Sequence, residues 1–242
     1  MIELEKNTVP VVWVTGATKG IGLAIANAFA VIGCKVVLSG RNRSQLEINA
    51  GRIIDQGGNA IPLVCDVASE TSVRAAVASI AKKWGGVDVL VNNAGVTVFE
   101  TFEKTTVKEF DSIVATNLRG TFLCSKAVLT AMLKQKRGHI FTIHSVTANT
   151  TFTNSSAYAA SKAGALAMMR GLRAEVRKKG IRVIDVLPGA VETEMWDKQS
   201  RKKFHSKMMQ PEDVADAVVS VYCQPSRMTT DEIVLRPVEG DL

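Results

Sequence analysis

The chain has 242 residues, 46% of them apolar and 22% charged, with a formal net charge of +7, the balance of an ordinary globular protein able to bury a sizeable core. No apolar run reaches the about 18 to 20 residues of a bilayer span, and Met1–Thr8 lacks the apolar stretch of a signal peptide, so a soluble, cytoplasmic protein without a membrane partner is expected. Aromatic residues make up 5% and do not interleave with the basic runs at 177–179 and 201–207, which argues against a nucleic-acid partner.

Strand and helix periods alternate along the chain. Val9–Val14 is an apolar run of strand length ending at Thr15-Gly16, and Ile21–Ile32 has helical spacing closed by Gly33. Lys35–Ser39 reads as the next strand, Ser44–Gln56 as a helix stopped by Gly57-Gly58, and Ala60–Val64 as a third strand. Glu70–Trp84 is a helix ended by Gly85-Gly86, followed by the strand Val87–Val91. One long helical pattern covers Val107–Lys136, before the strand Ile140–Ile143. Ser156–Lys179 is helical up to Gly180, and Ile181–Leu187 is a strand halted by Pro188-Gly189. After an irregular stretch, Pro211 opens a helix to Tyr222, and Glu232–Leu235 is a short last strand. Strands this apolar are buried on both faces, as in a parallel sheet covered by helices. The pattern predicts a single-domain α/β protein: a Rossmann-type, doubly wound parallel sheet of about seven strands with helices on both faces.

The four cysteines are widely spaced among apolar residues and suit reduced packing positions, and the three histidines have no metal-ligand spacing, so no metal is expected. The basic runs read either as solvated faces or as attraction for an anionic ligand.

Thr15-Gly16-Ala17-Thr18-Lys19-Gly20-Ile21-Gly22 joins the first strand to the first helix. Glycine lets the backbone approach a diphosphate, and the helix start supplies free N–H groups and a positive dipole end. The spacing Gly-x-x-x-Gly-x-Gly resembles that of the short-chain dehydrogenase/reductase family. Asn92-Asn93-Ala94-Gly95, Asn117, Ser145, Tyr158-Ala-Ala-Ser-Lys162, Pro188-Gly189 and Thr193 extend the resemblance in order from about Val9 to Val221. The resemblance implies that Asp66 and Val67 flank the adenine, Asn93 and Ala94 the adjacent ribose, with Gly95 also at the cofactor, and Pro188, Gly189, Val191 and Thr193 the nicotinamide.

An acid at the tip of the second strand would hold the ribose hydroxyls of NAD. Here the tip is Leu38-Ser39-Gly40-Arg41, so Arg41 offers a fork for a 2′-phosphate, Lys19 a second cation and Ser39 a neutral hydrogen bond. The expected cofactor is NADP(H). Tyr158 and Lys162, four apart on a helix, share one face about 6 Å apart along the axis. A cation about 5 Å from a phenol, at an effective dielectric of about 20, lowers its pKa by roughly two units from about 10. Tyr158 is therefore assigned as general acid in reduction and general base in oxidation, with Lys162 lowering its pKa and Ser145 polarising the substrate oxygen. By resemblance, Lys162 also binds the nicotinamide ribose, and Asn117 holds a water in the proton relay.

The stretch 191–210 is expected to form a substrate lid with Met195 and Trp196 beneath it. His144, next to Ser145, either touches substrate or packs; strand alternation points it away from Ser145. The substrate is expected to be a carbonyl or secondary alcohol, by resemblance a 3-oxo or 3-hydroxy acid or acyl compound, with an acyl carrier protein as a conceivable partner. A non-catalytic NADP(H)-binding redox sensor is the alternative. It would lack the reacting groups, and all four are present. Relatives pair their long helices between subunits, so a homo-oligomer, tetramer or dimer, is expected, with Leu166, Met168, Met169 and Leu172 as surplus apolar surface.

Overall fold

A computed structural model describes residues 9–240; the expectation for Met1–Thr8 lies outside the described residues. Seven strands form one sheet in the order β3-β2-β1-β4-β5-β6-β7. They are β1 Val11–Thr15, β2 Lys35–Gly40, β3 Asn59–Val64, β4 Val89–Asn92, β5 Gly138–Ile143, β6 Ile181–Pro188 and β7 Glu232–Leu235, and every pairing is parallel. β3 lies at an edge, a position where Pro62 costs the sheet least.

Helices α1 Gly20–Val31, α2 Arg43–Asp55, α3 Glu70–Trp84, α4 Val107–Ile113, α5 Gly120–Gln135, α6 Ser156–Val176, α7 Lys198–Phe204 and α8 Pro211–Tyr222 complete the chain. Local chemistry explains their ends. Ser69 caps α3, and Gly85 closes it in the left-handed region at φ 90°. Thr106 and Glu109 form a reciprocal capping box at the start of α4. Among the described residues no helix is long and apolar enough to cross a membrane.

Two apolar layers flank the sheet. Phe29, Leu46 and Val218 pack with Val12, Val14 and Val36 on one face. Val73, Ile80, Val128, Met132 and Met169 pack with Trp13, Val37 and Ile140 on the other. This is the doubly wound parallel sheet that the alternating periods predict.

Two elements differ from the sequence expectation. The long helix over 107–136 is interrupted by a π-helical segment, Val114–Arg119, which carries Asn117. Within 191–210, α7 forms where no period was evident: Asp197 caps it through the Gln199 and Ser200 amides, yet none of its residues is buried. The surplus apolar surface also lies elsewhere. Leu166 and Met169 are 1% exposed and belong to the core, whereas Phe102, Val107, Phe110 and Phe122, just before and along α4 and α5, face solvent.

Candidate active site

A cleft of about 500 Å³ opens at the carboxyl end of the sheet. Its floor is the turn between β1 and α1. Gly16 and Gly20 have φ of +66° and +56°, where a side chain would be strained. A Cβ at Gly16 would lie 2.8 Å from Ala94 Cα, and one at Gly22 would lie 2.5 Å from the Gly16 carbonyl oxygen. Asn93 stitches this turn to β4, donating from Nδ2 to the carbonyls of Thr15 at 2.9 Å and Gly16 at 3.1 Å. Thr15 Oγ1 accepts from the Asn93 and Ala94 amides at 3.0 and 3.1 Å. Among the described residues no side chain caps the start of α1, so its first-turn N–H groups remain available beside the glycines. Backbone that close, with free donors and a positive helix end, suits a diphosphate.

Gly16, Thr18, Lys19, Gly20, Ile21, Arg41, Asp66, Val67, Asn93, Ala94 and Gly95 line one part of the cleft. Ser145, Tyr158, Lys162, Pro188, Gly189, Val191, Thr193, Met195 and Trp196 line the rest. Ser145 follows β5, and α6 brings Tyr158 and Lys162 against it on one face. The Ser145 side chain acts on the Tyr158 phenol in the direction that favours its ionised form. Lys162 Nζ donates to the Ile143 carbonyl at 2.7 Å and lies 5.7 Å from the Tyr158 ring centroid. Asn117 stands behind them at 2% exposure. Its Oδ1 accepts from the Val96 amide, and its Nδ2 donates to the Val96 carbonyl and to Ser161 Oγ. The side chain thus ties the π-helical segment to the loop after β4 and to α6. A hydroxyl pair beside a buried ammonium, next to a phosphate cradle, can deliver a proton to a carbonyl oxygen.

The family model described as short chain dehydrogenase matches residues 10–203. This chain belongs to the short-chain dehydrogenases. It is 40% identical over 236 residues to a sepiapterin reductase of Chlorobaculum tepidum, covering 95% of this chain and 96% of that one. It is 36% identical to an uncharacterised oxidoreductase of Staphylococcus saprophyticus, over 98% of this chain and the whole of the other. Among solved structures, a metagenomic short-chain oxidoreductase in complex with NADP superposes with TM-score 0.84 at 32% identity, covering 96% and 98% of the two chains. An actinorhodin polyketide ketoreductase variant with NADPH gives 0.88 at 30% identity, covering 95% and 96%.

Against that family background, three positions and one electrostatic feature depart from the sequence expectation. Ser39 does not face the cleft: it is 1% exposed, its Oγ accepts from Trp13 Nε1 at 2.8 Å and donates to the Val14 carbonyl at 3.2 Å. Gly22 supports the cradle from behind rather than lining it. Lys19 is engaged by the Glu194 carboxylate across the cleft mouth, an acid from the stretch 191–210 that nothing local in the sequence places beside it. Arg41 is exposed on the cleft wall and forms no ion pair among the described residues. The fourth departure is electrostatic. Burial pushes the Tyr158 hydroxyl up to about 12, the Ser145 hydrogen bond opposing it, and burial brings Lys162 down to about 8. The ammonium turned to the Ile143 carbonyl does not offset the desolvation of the phenol.

Sequence reasoning missed Phe99. Its ring meets Tyr158 edge-on at 6.4 Å between centroids and stacks on Trp196 at 5.9 Å. The signal, an aromatic residue in the loop after Asn92-Asn93-Ala94-Gly95, lacks any fixed spacing to Tyr158.

Proposed function

We propose that the chain is an NADP(H)-dependent reductase of neutral ketones carried on a flat, conjugated skeleton, working reversibly on the matching secondary alcohols. The observation that carries the substrate class is the contact of the Phe99 ring with Tyr158 and Trp196, two aromatic residues of the cleft lining. Flat rings gain from offset or edge contacts with such a group beyond the area they bury. Of the lining residues Val96, Thr97, Ser145, Tyr158, Met195 and Trp196, none is charged, so a carboxylate finds no cation there apart from Lys162. The sepiapterin reductase relative supports the same reading by its name.

Bound NADPH supplies the hydride. The cradle of Gly16, Gly20 and the start of α1 holds its diphosphate, Arg41 the 2′-phosphate, and Asp66, Val67, Asn93, Ala94 and Gly95 the adenosine side. Pro188, Gly189, Val191 and Thr193 frame the nicotinamide. Ser145 donates a hydrogen bond to the substrate oxygen, and Tyr158 transfers its proton to that oxygen as negative charge grows there. A phenol held near 12 by burial is fully protonated at neutral pH, so the donor is loaded before reaction. Lys162, brought near 8, replaces the proton with Asn117 ordering the relay behind it. Met195 and Trp196 close over the substrate.

A 3-oxo or 3-hydroxy acyl compound is the second reading. It draws on the exposed Lys202 and Lys203 of α7, which an acidic carrier protein would contact. A homo-oligomer, dimer or tetramer, in the cytoplasm belongs to the proposal, its assembly resting on the exposed Phe102, Val107, Phe110 and Phe122.

The test follows NADPH absorbance with side-chain ketones on heteroaromatic rings beside 3-oxo acids and 3-oxoacyl thioesters. The flat ketones should lead by about tenfold or more in kcat/KM, and Trp196→Ala should remove most of that lead. The reverse order would transfer the proposal to acyl substrates. No turnover of any class would favour the redox-sensor reading.

A further inference from the structure

The layer between β5, β6 and α6 holds a charged group that the reaction scheme leaves unused. Asp185 on β6 is 0% exposed, and His144, just past the end of β5, is 3% exposed. His144 Nε2 lies 2.7 Å from Asp185 Oδ1. The other carboxylate oxygen of Asp185 accepts from the Arg173 guanidinium on α6. Arg173 is fixed in turn, donating to the carbonyls of Val183 and Asp231, each at 2.9 Å. Glu232 on β7 lies 3.5 Å from Arg173 Nη1 and is gripped by Arg170.

The His144 ring is in one definable state. Its Nδ1 is buried without a partner among the described residues, so a proton there would be a donor with no acceptor. The neutral tautomer with Nε2–H donating to Asp185 leaves only an unused lone pair. Asp185 already has its charge matched by Arg173, and the charges of Lys162 and Arg170 also act on the ring. Burial and those two cations outweigh the pull of Asp185 and hold the imidazole below its usual range.

We propose that His144 is a positioning residue for Tyr158 and Lys162. Its chain neighbours bear on both: the Ile143 carbonyl accepts from Lys162 Nζ at 2.7 Å, and the Ser145 side chain acts on the Tyr158 phenol. The His144 amide makes the last bond from this strand end to β6, reaching the Val186 carbonyl at 2.7 Å. Beyond it the chain leaves the sheet, and the side-chain link through Asp185 and Arg173 continues the anchorage. That link ends on α6, the same helix that carries Tyr158 and Lys162. A closed circuit therefore runs from His144 through Asp185, Arg173 and α6 to Lys162 and back to Ile143. Slack in it moves Ser145 and the Lys162 contact together, and a displacement of about 1 Å at a reacting centre costs up to about a hundredfold in rate.

The inference rests on the proposed roles of Tyr158, Lys162 and Ser145, and the experiment separates the two. Three variants are measured with NADPH: His144→Leu, His144→Gln and Tyr158→Phe. His144→Leu should lower kcat by about tenfold with KM for NADPH changed by no more than about twofold, because the cradle is untouched. His144→Gln, whose amide again donates to Asp185, should recover most of kcat. Unchanged kcat in His144→Leu, or no recovery in His144→Gln, overturns the positioning role. Full turnover in Tyr158→Phe overturns the site reading itself. If His144→Leu does not fold, ring-nitrogen NMR of the wild type decides, since the chain has three histidines to resolve. The ring should remain the neutral Nε2–H tautomer from about pH 6.5 to 8.5. A ring titrating in that window, or protonated at Nδ1, contradicts the proposal.

Discussion

Arg41 and Lys19 show how far single residues are legible. Both are cations near the expected phosphate, and their proximity in the sequence order of the fold makes them look equivalent. The structure separates them: Lys19 is paired with Glu194, while Arg41 stands on the cleft wall without an ion pair among the described residues. A planar fork with its charge unmatched is the better phosphate ligand. Arg41→Asp should therefore shift the NADPH to NADH ratio of kcat/KM toward NADH by about tenfold or more, through the lost fork and the added repulsion. Steady-state kinetics with both cofactors checks it, and an unchanged ratio would assign the 2′-phosphate to other residues. Tyr158 and Lys162 were legible because four residues on a helix is a local relation that needs no tertiary knowledge. Ser39, Glu194 and Phe99 were not, since their orientation or partner is set by elements far away in sequence: Ser39 by Trp13, Glu194 by Lys19 and Phe99 by Trp196.

At the scale of elements, the turn between β1 and α1 depends on three glycines for different reasons. Gly16 and Gly20 need positive φ, whereas Gly22 needs room, its missing Cβ position lying 2.3 Å from Asn93 Nδ2. A methyl group there pushes Asn93 away from the Thr15 and Gly16 carbonyls and opens the cradle from behind. Gly22→Ala is expected to weaken NADPH binding by about tenfold or more, with the lost hydrogen bonds and the forced shift together costing over about 1.4 kcal/mol. Titration of cofactor fluorescence measures it, and wild-type affinity would show that the turn relaxes freely. The order of the strands and of the covered helices was readable, because apolar runs and helical spacing follow directly from burial. The π-helical break at Val114–Arg119 was hidden, since one extra residue per turn barely disturbs a helical pattern. Helix α7 was hidden for the opposite reason: an uncovered helix has no apolar stripe to read.

For the molecule as a whole, burying imidazoles makes stability depend on pH. Burial with the Arg182 guanidinium drives His139 down to about 4, and His144 is also held below its ordinary range. The unfolded chain then binds more protons than the folded one below about pH 6.5, so stability rises with pH through this window and is lost on acidification. Denaturant midpoints should fall from about pH 6.5 to 5, by on the order of 1 to 2 kcal/mol, before most carboxylates titrate. A flat profile there would mean that both rings accept protons in the folded state. The fold and the cofactor cradle answer to sheet-wide burial, but the chemistry converges on one hydroxyl, Tyr158. The most direct measurement is single-turnover hydride transfer from NADPH in Tyr158→Phe, with cofactor affinity measured on the same protein. The account predicts transfer slowed by about three orders of magnitude or more with NADPH affinity within about threefold of wild type. Transfer at the wild-type rate would contradict it.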